Sequence, residues 1–292
     1  MTKHLSGTKP SDCRRTLHVA TAQIHSGGTV DETLERLRRQ VVAASAVGSE
    51  IILFSEGVLQ GYDYDMTAEI IEAGAEPVDG PHCRRIAELA RKFSITVVAG
   101  FFERDGDRFY NAMLVAPPAG PCWTARKFML GEIERRANLT PGPKERPVLE
   151  INGVRAAIII CADGGIDGLH EDLRARRVDY RLCPTGGGGK IGDYLHESDL
   201  GTEKGRAAYE ANRPRVFKSE AILDAKECPF TGFTSANALG PVGRQTCHQG
   251  HCMIVDNRRV MRAQIPGTIV LEHQQDQMIH AALSFPAEGR GE

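Results

Sequence analysis

The chain has 292 residues and a formal net charge of −2, so its charge balance draws it neither to nucleic acid nor to an anionic membrane surface. Apolar residues make up 41% and charged residues 25%, ordinary proportions for a globular chain with a sizeable core. No apolar run approaches the roughly 20 residues of a membrane span, the start Met1–Arg15 is polar and basic with no apolar stretch of a secretory signal, and eight cysteines in so long a chain read as reduced thiols, so a cytoplasmic protein is expected.

In chain order, Leu17–Gln23 alternates as a strand does. Thr29-Val30-Asp31-Glu32 fits a capping box, and the helix behind it would turn Leu34, Leu37, Val41 and Ala44 to one side, with Val47 a candidate to extend that face. Ile51–Phe54 is a continuous apolar run, as in a strand buried on both faces. Pro81 suits the first turn of a second helix, with Ile86, Leu89, Ala90 and Phe93 as its stripe. Ile95–Phe101, the turn at Arg104–Asp107 and Phe109–Ala116 read as a hairpin. Val154–Cys161 reads as a buried strand, Leu169–Val178 as a helix and Tyr180–Cys183 as a strand. Gly186 to Gly189 should break regular structure, as a mobile loop lining a pocket. A helix over Lys218–Glu227 and strands over Phe230–Asn237, Gly250–Val255 and Met278–Leu283 complete the pattern. The expectation is one layered α/β domain over residues 15–286, with flexible tails at 1–14 and 287–292.

Two of the buried runs deliver chemistry where they end. Ile-Ile-Leu-Phe-Ser-Glu56 brings a carboxylate to the end of an apolar segment, where a charge needs a partner or a task. Ile-Ile-Ile-Cys161-Ala162-Asp163-Gly164 brings a thiol to another, and sites in open α/β sheets gather outside the carboxyl ends of strands. Between them lies Lys127, entering an apolar stretch. A carboxylate can take the proton of an attacking thiol, and a lysine can stabilise the oxyanion that results. Taken singly, each has a plainer reading: Cys161 as a buried structural thiol, Glu56 as a cap, Lys127 as a surface residue. Spacing alone does not bring them together.

The ordered set resembles the nitrilase, or carbon–nitrogen hydrolase, superfamily over about residues 17–285. Val19–Gln23 looks like its first strand, Leu-Phe-Ser-Glu56 with Gly61-Tyr62 like its glutamate motif, and Arg126-Lys127 with Leu130, Glu134 and Pro141-Gly142 like its lysine motif. Ile160–Asp163 looks like its cysteine motif; Ala236-Asn237, Gly250–Cys252 and Val255-Asp256 look like its closing strands. The resemblance implies an α-β-β-α sandwich with mixed sheets that forms a homodimer or higher oligomer. It implies Cys161 as nucleophile, Glu56 as general base, Lys127 as oxyanion stabiliser and Glu134 as a supporting carboxylate. Neither metal nor organic cofactor is needed. Tyr62, Ala162, Asp163, Thr185, Gly186 and Gly187 are candidates to line the pocket for a small amide or nitrile. Ser55, Met129 and Ala162 depart from the usual motifs and leave room for a non-catalytic binding subunit. Ala162-Asp163 stands where nitrilases usually carry Trp-Glu, and Gly164-Gly165 where carbamoylases often carry a carboxylate-binding arginine, so a linear amide is the expected substrate.

Two other motifs compete. Gly186–Lys190 fails as a phosphate loop, because Pro184 and Ile191 stand at its first glycine and its Ser/Thr positions. Cys247, His248, His251 and Cys252 could suggest zinc, but neighbours along a strand point to opposite faces and cannot surround one tetrahedral ion.

Overall fold

The computed structural model describes residues 15–216 and 232–286. The expected tails and the helix expected at Lys218–Glu227 lie outside the described residues. The first half contains β1 (Arg15–Gln23), α1 (Val30–Ala46), β2 (Ile51–Leu53), α2 (Ala68–Gly74), α3 (Pro81–Phe93), β3 (Thr96–Asp105), β4 (Arg108–Ala116), β5 (Trp123–Arg126) and α4 (Glu132–Arg136). The second contains β6 (Val148–Ile151), β7 (Val154–Ile158), α5 (Leu169–Ala175), β8 (Tyr180–Thr185), β9 (Gly188–Lys190) and α6 (Glu203–Val216). After it come β10 (Gly232–Asn237), β11 (Leu239–Val242), β12 (Thr246–Gln249), β13 (Cys252–Val255), β14 (Met261–Ile265) and β15 (Gln277–Phe285).

Residue alternation assigns the layers. On β1, Leu17 and Val19 join one core while Ala20 and Ala22 join another. On the run from β2, Ile51 and Leu53 point one way and Ile52 and Phe54 the other, as a period of two requires. Both faces are buried, which is why this run is continuously apolar. One side packs on α1 and α3 through Leu34, Leu37, Val41, Ile86 and Ala90. The other meets a second sheet, through Ile158, Ile160, Leu182 and Ile254. That second sheet carries α5 on its far side, with Leu169 and Leu173 against Ala157 and Ile159. The order helix–sheet–sheet–helix follows from these contacts.

The first sheet runs β15-β1-β2-β3-β4-β5 and the second β14-β13-β10-β8-β7-β6. Both are mixed: β1, β2 and β3 pair in parallel, as do β7, β8 and β10, with antiparallel strands outside them. Thr29 and Glu32 make both hydrogen bonds of the capping box, at 3.2 and 2.9 Å, a device that contributes about 1 kcal/mol. The hairpin forms as expected, with Asp105 opposite Arg108 across its turn.

Gly186 and Gly187 break regular structure as expected, but the second half of the glycine run corrects the sequence reading. Gly188–Lys190 is a strand, β9, paired antiparallel with β12 in a small third sheet with β11. Glycine there reflects close approach rather than mobility: a Cβ on Gly188 would lie 2.4 Å from the Cys247 carbonyl oxygen and 2.8 Å from the His248 ring. The strand expected over Val154–Cys161 also ends early, at Ile158, so Cys161 stands beyond the sheet.

Candidate active site

Glu56 follows β2 in a turn that crosses over Gly100 on β3. A Cβ on Gly100 would lie 2.3 Å from Gly57 N and 2.4 Å from Ser55 O, so only glycine admits this crossing. The crossing is pinned by Gly100 N donating to Ser55 O at 3.1 Å and by Glu56 N donating to Thr185 O at 3.3 Å. Lys127 is the first residue past β5, its own N–H donating to Asn111 O at 2.8 Å. Glu134 sits in α4, where its Oε2 accepts from Gly131 N at 2.7 Å.

These side chains form one buried network. Lys127 Nζ donates to Glu56 Oε1 at 2.7 Å and reaches both Glu134 oxygens at 2.9 Å. Glu56, Lys127 and Glu134 are at most 2% exposed. A lysine this deep would lose its charge to desolvation, but the two carboxylates outweigh burial and hold its pKa above the ordinary lysine range.

Asn111, on β4, is the residue the sequence reading missed. Its Nδ2 donates to Glu56 Oε1 at 2.7 Å and to Glu134 Oε1 at 2.6 Å, so one amide holds two carboxylates in register. The signal was present: an asparagine inside the otherwise apolar run Phe109–Ala116 must find partners when buried. Asn111→Leu is expected to lower stability by about 1–3 kcal/mol, the cost of stripping hydrogen bonds from buried acceptors. Urea unfolding of the variant measures it.

Cys161 opens a short 3-10 turn, Cys161–Gly165, with φ of +47°, a left-handed conformation that non-glycine residues seldom adopt and that clusters at functional sites. The residue is open to solvent, while its sulfur is walled on the inner side. Gly186 N–H hydrogen-bonds the sulfur, Lys127 attracts the thiolate, and Glu56 opposes it. The carboxylate of Glu56, followed by desolvation, dominates and pushes the thiol up to about 12, so it rests protonated at neutral pH. Glu56 Oε2 has no hydrogen-bond partner at normal distance. The thiol feels Glu56 as a charge and as a long, weak acceptor, a spacing common before a substrate tightens a site.

Of the other expected residues, Tyr62, Thr185 and Gly186 fall around this network, while Gly187 O accepts from Asn237 Nδ2 at 3.0 Å. A Cβ on Gly186 would lie 3.0 Å from the Tyr62 ring and 3.2 Å from Glu56 Oε2, and Lys127 Nζ lies 5.8 Å from the Tyr62 ring centre. Ala162 is exposed beside Cys161. Asp163 departs from expectation: it does not line the pocket but is fully buried. Its Oδ1 accepts from Phe128 N at 3.0 Å and Met129 N at 2.7 Å, and its Oδ2 pairs with buried Arg146. It therefore braces the segment behind Lys127 against the turn that carries Cys161. Burial raises its carboxyl pKa, against the pull of those donors.

Cys247 and His248 do point to opposite faces of β12: Cys247 packs with Tyr194 and Ile269, and His248 contacts the carbonyls of Tyr62 and Gly187. Among the described residues no cluster of three or more His, Cys, Asp or Glu is placed to hold a metal ion, and no helix is long and apolar enough to cross a membrane.

The family model for carbon–nitrogen hydrolases matches residues 18–197, and the chain belongs to that family. A hydrolase of Mycobacterium tuberculosis is 28% identical over 182 residues, 59% of this chain and 62% of the relative. Nitrilase 1 of Arabidopsis thaliana is 24% identical over 201 residues, 63% of this chain and 58% of that enzyme. The chain thus matches about three fifths of these relatives' lengths. An amidase of the nitrilase superfamily from Nesterenkonia superposes with a TM-score of 0.64 at 18% identity, over 96% of this chain and 94% of its own. That likeness establishes the shared mixed α/β sandwich.

Proposed function

We propose that the chain hydrolyses a non-peptide C–N bond, by preference that of a linear amide, through a thioester on Cys161. The observation that carries the reading is the thiol of a solvent-exposed residue beside a buried carboxylate, one of whose oxygens has no hydrogen bond of normal length, and a buried ammonium. The thiol sulfur attacks the amide carbon as Glu56 takes its proton. The carbonyl oxygen becomes an oxyanion next to Lys127. One N–H of Lys127 can serve both Glu134 oxygens, leaving another to turn to this oxygen, where it is worth several kcal/mol in a dry site. The tetrahedral species collapses, the C–N bond breaks, and Glu56 returns the proton to the leaving amine. Water then attacks the thioester, Glu56 takes its proton, and the acid leaves with the thiol restored. Asn111 and Glu134 hold Glu56 and Lys127 in the geometry for both halves.

An amide already has the oxygen that Lys127 is suited to receive. A nitrile instead develops charge on nitrogen, which must be protonated. A carbamoyl amino acid brings a carboxylate whose desolvation needs a cation. Arg146, which reaches the cysteine motif through Asp163, is committed to that carboxylate and to the Pro143 carbonyl, so it is not free to hold a substrate carboxylate. Arg213 and Arg215, which the sequence offers as more distant cations for such a carboxylate, have side chains outside the described ones. The test is kcat/KM on an amide, a nitrile and a carbamoyl compound that share one side chain. The amide is expected to lead; a lead for either of the others overturns the preference.

A further inference from the structure

His248 is fully buried, titratable, and unused by the chemistry above. Its Nε2 lies 2.7 Å from Tyr62 O and its Nδ1 lies 3.2 Å from Gly187 O. Both partners are carbonyl oxygens, which only accept, and a neutral imidazole has one N–H. Gly187 O already receives Asn237 Nδ2 at 3.0 Å, whereas the shorter contact is to Tyr62. The hydrogen therefore sits on Nε2 and is given to Tyr62. Two positions back on β12, and so on the same face, Thr246 Oγ1 accepts from Tyr64 N at 2.9 Å and donates to Asp63 Oδ1 at 2.7 Å. Tyr64 is bound to this face by its ring as well, edge-on to His248 with centres 5.8 Å apart, and its hydroxyl donates to Gly186 O at 3.1 Å. Three consecutive residues, Tyr62, Asp63 and Tyr64, are thus held by one face of one strand, and they carry the aromatic wall against Gly186, the glycine whose N–H meets the Cys161 sulfur.

We infer that His248 is a positioning residue: by donating Nε2–H to the Tyr62 carbonyl it fixes the aromatic wall of the pocket, and through that wall the Gly186 backbone that meets Cys161. It touches neither substrate nor reacting atoms, so its effect falls on binding and alignment.

Glutamine and asparagine separate this role from mere core filling. A glutamine amide nitrogen can replace Nε2; an asparagine amide nitrogen corresponds to Nδ1 and falls short of Tyr62. His248→Asn is expected to raise KM for the amide about tenfold, the worth of one good hydrogen bond, with kcat changed less than about threefold. His248→Gln is expected to stay within about threefold of the parent in both. The amide readout rests on the proposed hydrolase activity, so a second one is independent of it: the second-order rate of alkylation of Cys161 by iodoacetamide, read by peptide mass. It is expected to fall about tenfold in His248→Asn and to be retained in His248→Gln. If no amide is turned over yet alkylation divides this way, the hydrolase reading fails and the positioning role stands. Equal effects of the two variants on both readouts, or none from either, overturn it. Should neither variant fold, Thr246→Val, which cuts the Tyr64 and Asp63 contacts on the same face, is expected to slow alkylation as His248→Asn would; an unchanged rate overturns the inference.

Discussion

Glu56→Gln is expected to cut kcat/KM for the amide by about 10²–10⁴-fold, the contribution of a placed general base, while making Cys161 easier to alkylate. The two effects have opposite signs for one reason. The Glu56 carboxylate is the largest influence holding the Cys161 thiol up at about 12. Removing its charge lowers the thiol pKa, because a thiolate no longer faces an anion. At any pH below the thiol pKa the variant then carries more thiolate, and alkylation by iodoacetamide, which needs only thiolate, speeds up. If Glu56 merely tuned the thiol, turnover would rise with alkylation. If it is the proton acceptor, and later the donor to the amine, turnover falls as alkylation rises. Glutamine keeps an oxygen for Lys127 and an amide of similar size, so the comparison is made on a folded protein, checked by thermal denaturation. Parallel changes in the two rates would remove Glu56 from the role of base.

Cys161→Ala is expected to lower turnover by about 10⁴-fold or more, as loss of a covalent nucleophile does, and to move stability by less than about 1 kcal/mol. The second half follows from the structure. Cys161 is exposed and belongs to none of the hydrophobic clusters of the described residues, and alanine meets the same left-handed φ of +47°, so the strain is common to both. The network of Glu56, Lys127, Glu134 and Asn111 closes without the sulfur. A variant that kept more than about a tenth of parental turnover, with folding intact, would mean that a group other than this thiol attacks the substrate.

The sequence revealed the layers where burial was one-sided or complete. The β1 alternation, the unbroken apolar run of β2 and the Thr29 capping box each follow from local periodicity, and each is present. Glu56, Lys127 and Cys161 stood out because they interrupt or end apolar segments. That the three meet depends on contacts between residues far apart along the chain, 71 positions for Lys127 with Glu56; only the resemblance of the ordered motifs supplied that. Asp163 was misread because an acidic residue next to a nucleophile suggests the pocket, whereas the 3-10 turn swings it inward to Arg146. Arg146 itself gave no signal: it stands next to Lys144 and Glu145 in a charged stretch, yet it is 1% exposed. Gly186–Gly189 read as a loop because glycine disfavours strands. Its strand pairing came from the space that β12 leaves, which only the assembled fold defines.

The most direct measurement is the mass of the protein itself during turnover. The parent protein, mixed with excess amide and quenched in acid in the steady state, is expected to gain the mass of the acyl group without the amine. Peptide mapping should place that gain on Cys161, and Cys161→Ala should show none. Turnover with Cys161 unmodified at every quench time, or an acyl group recovered on a different residue, would contradict a Cys161 thioester.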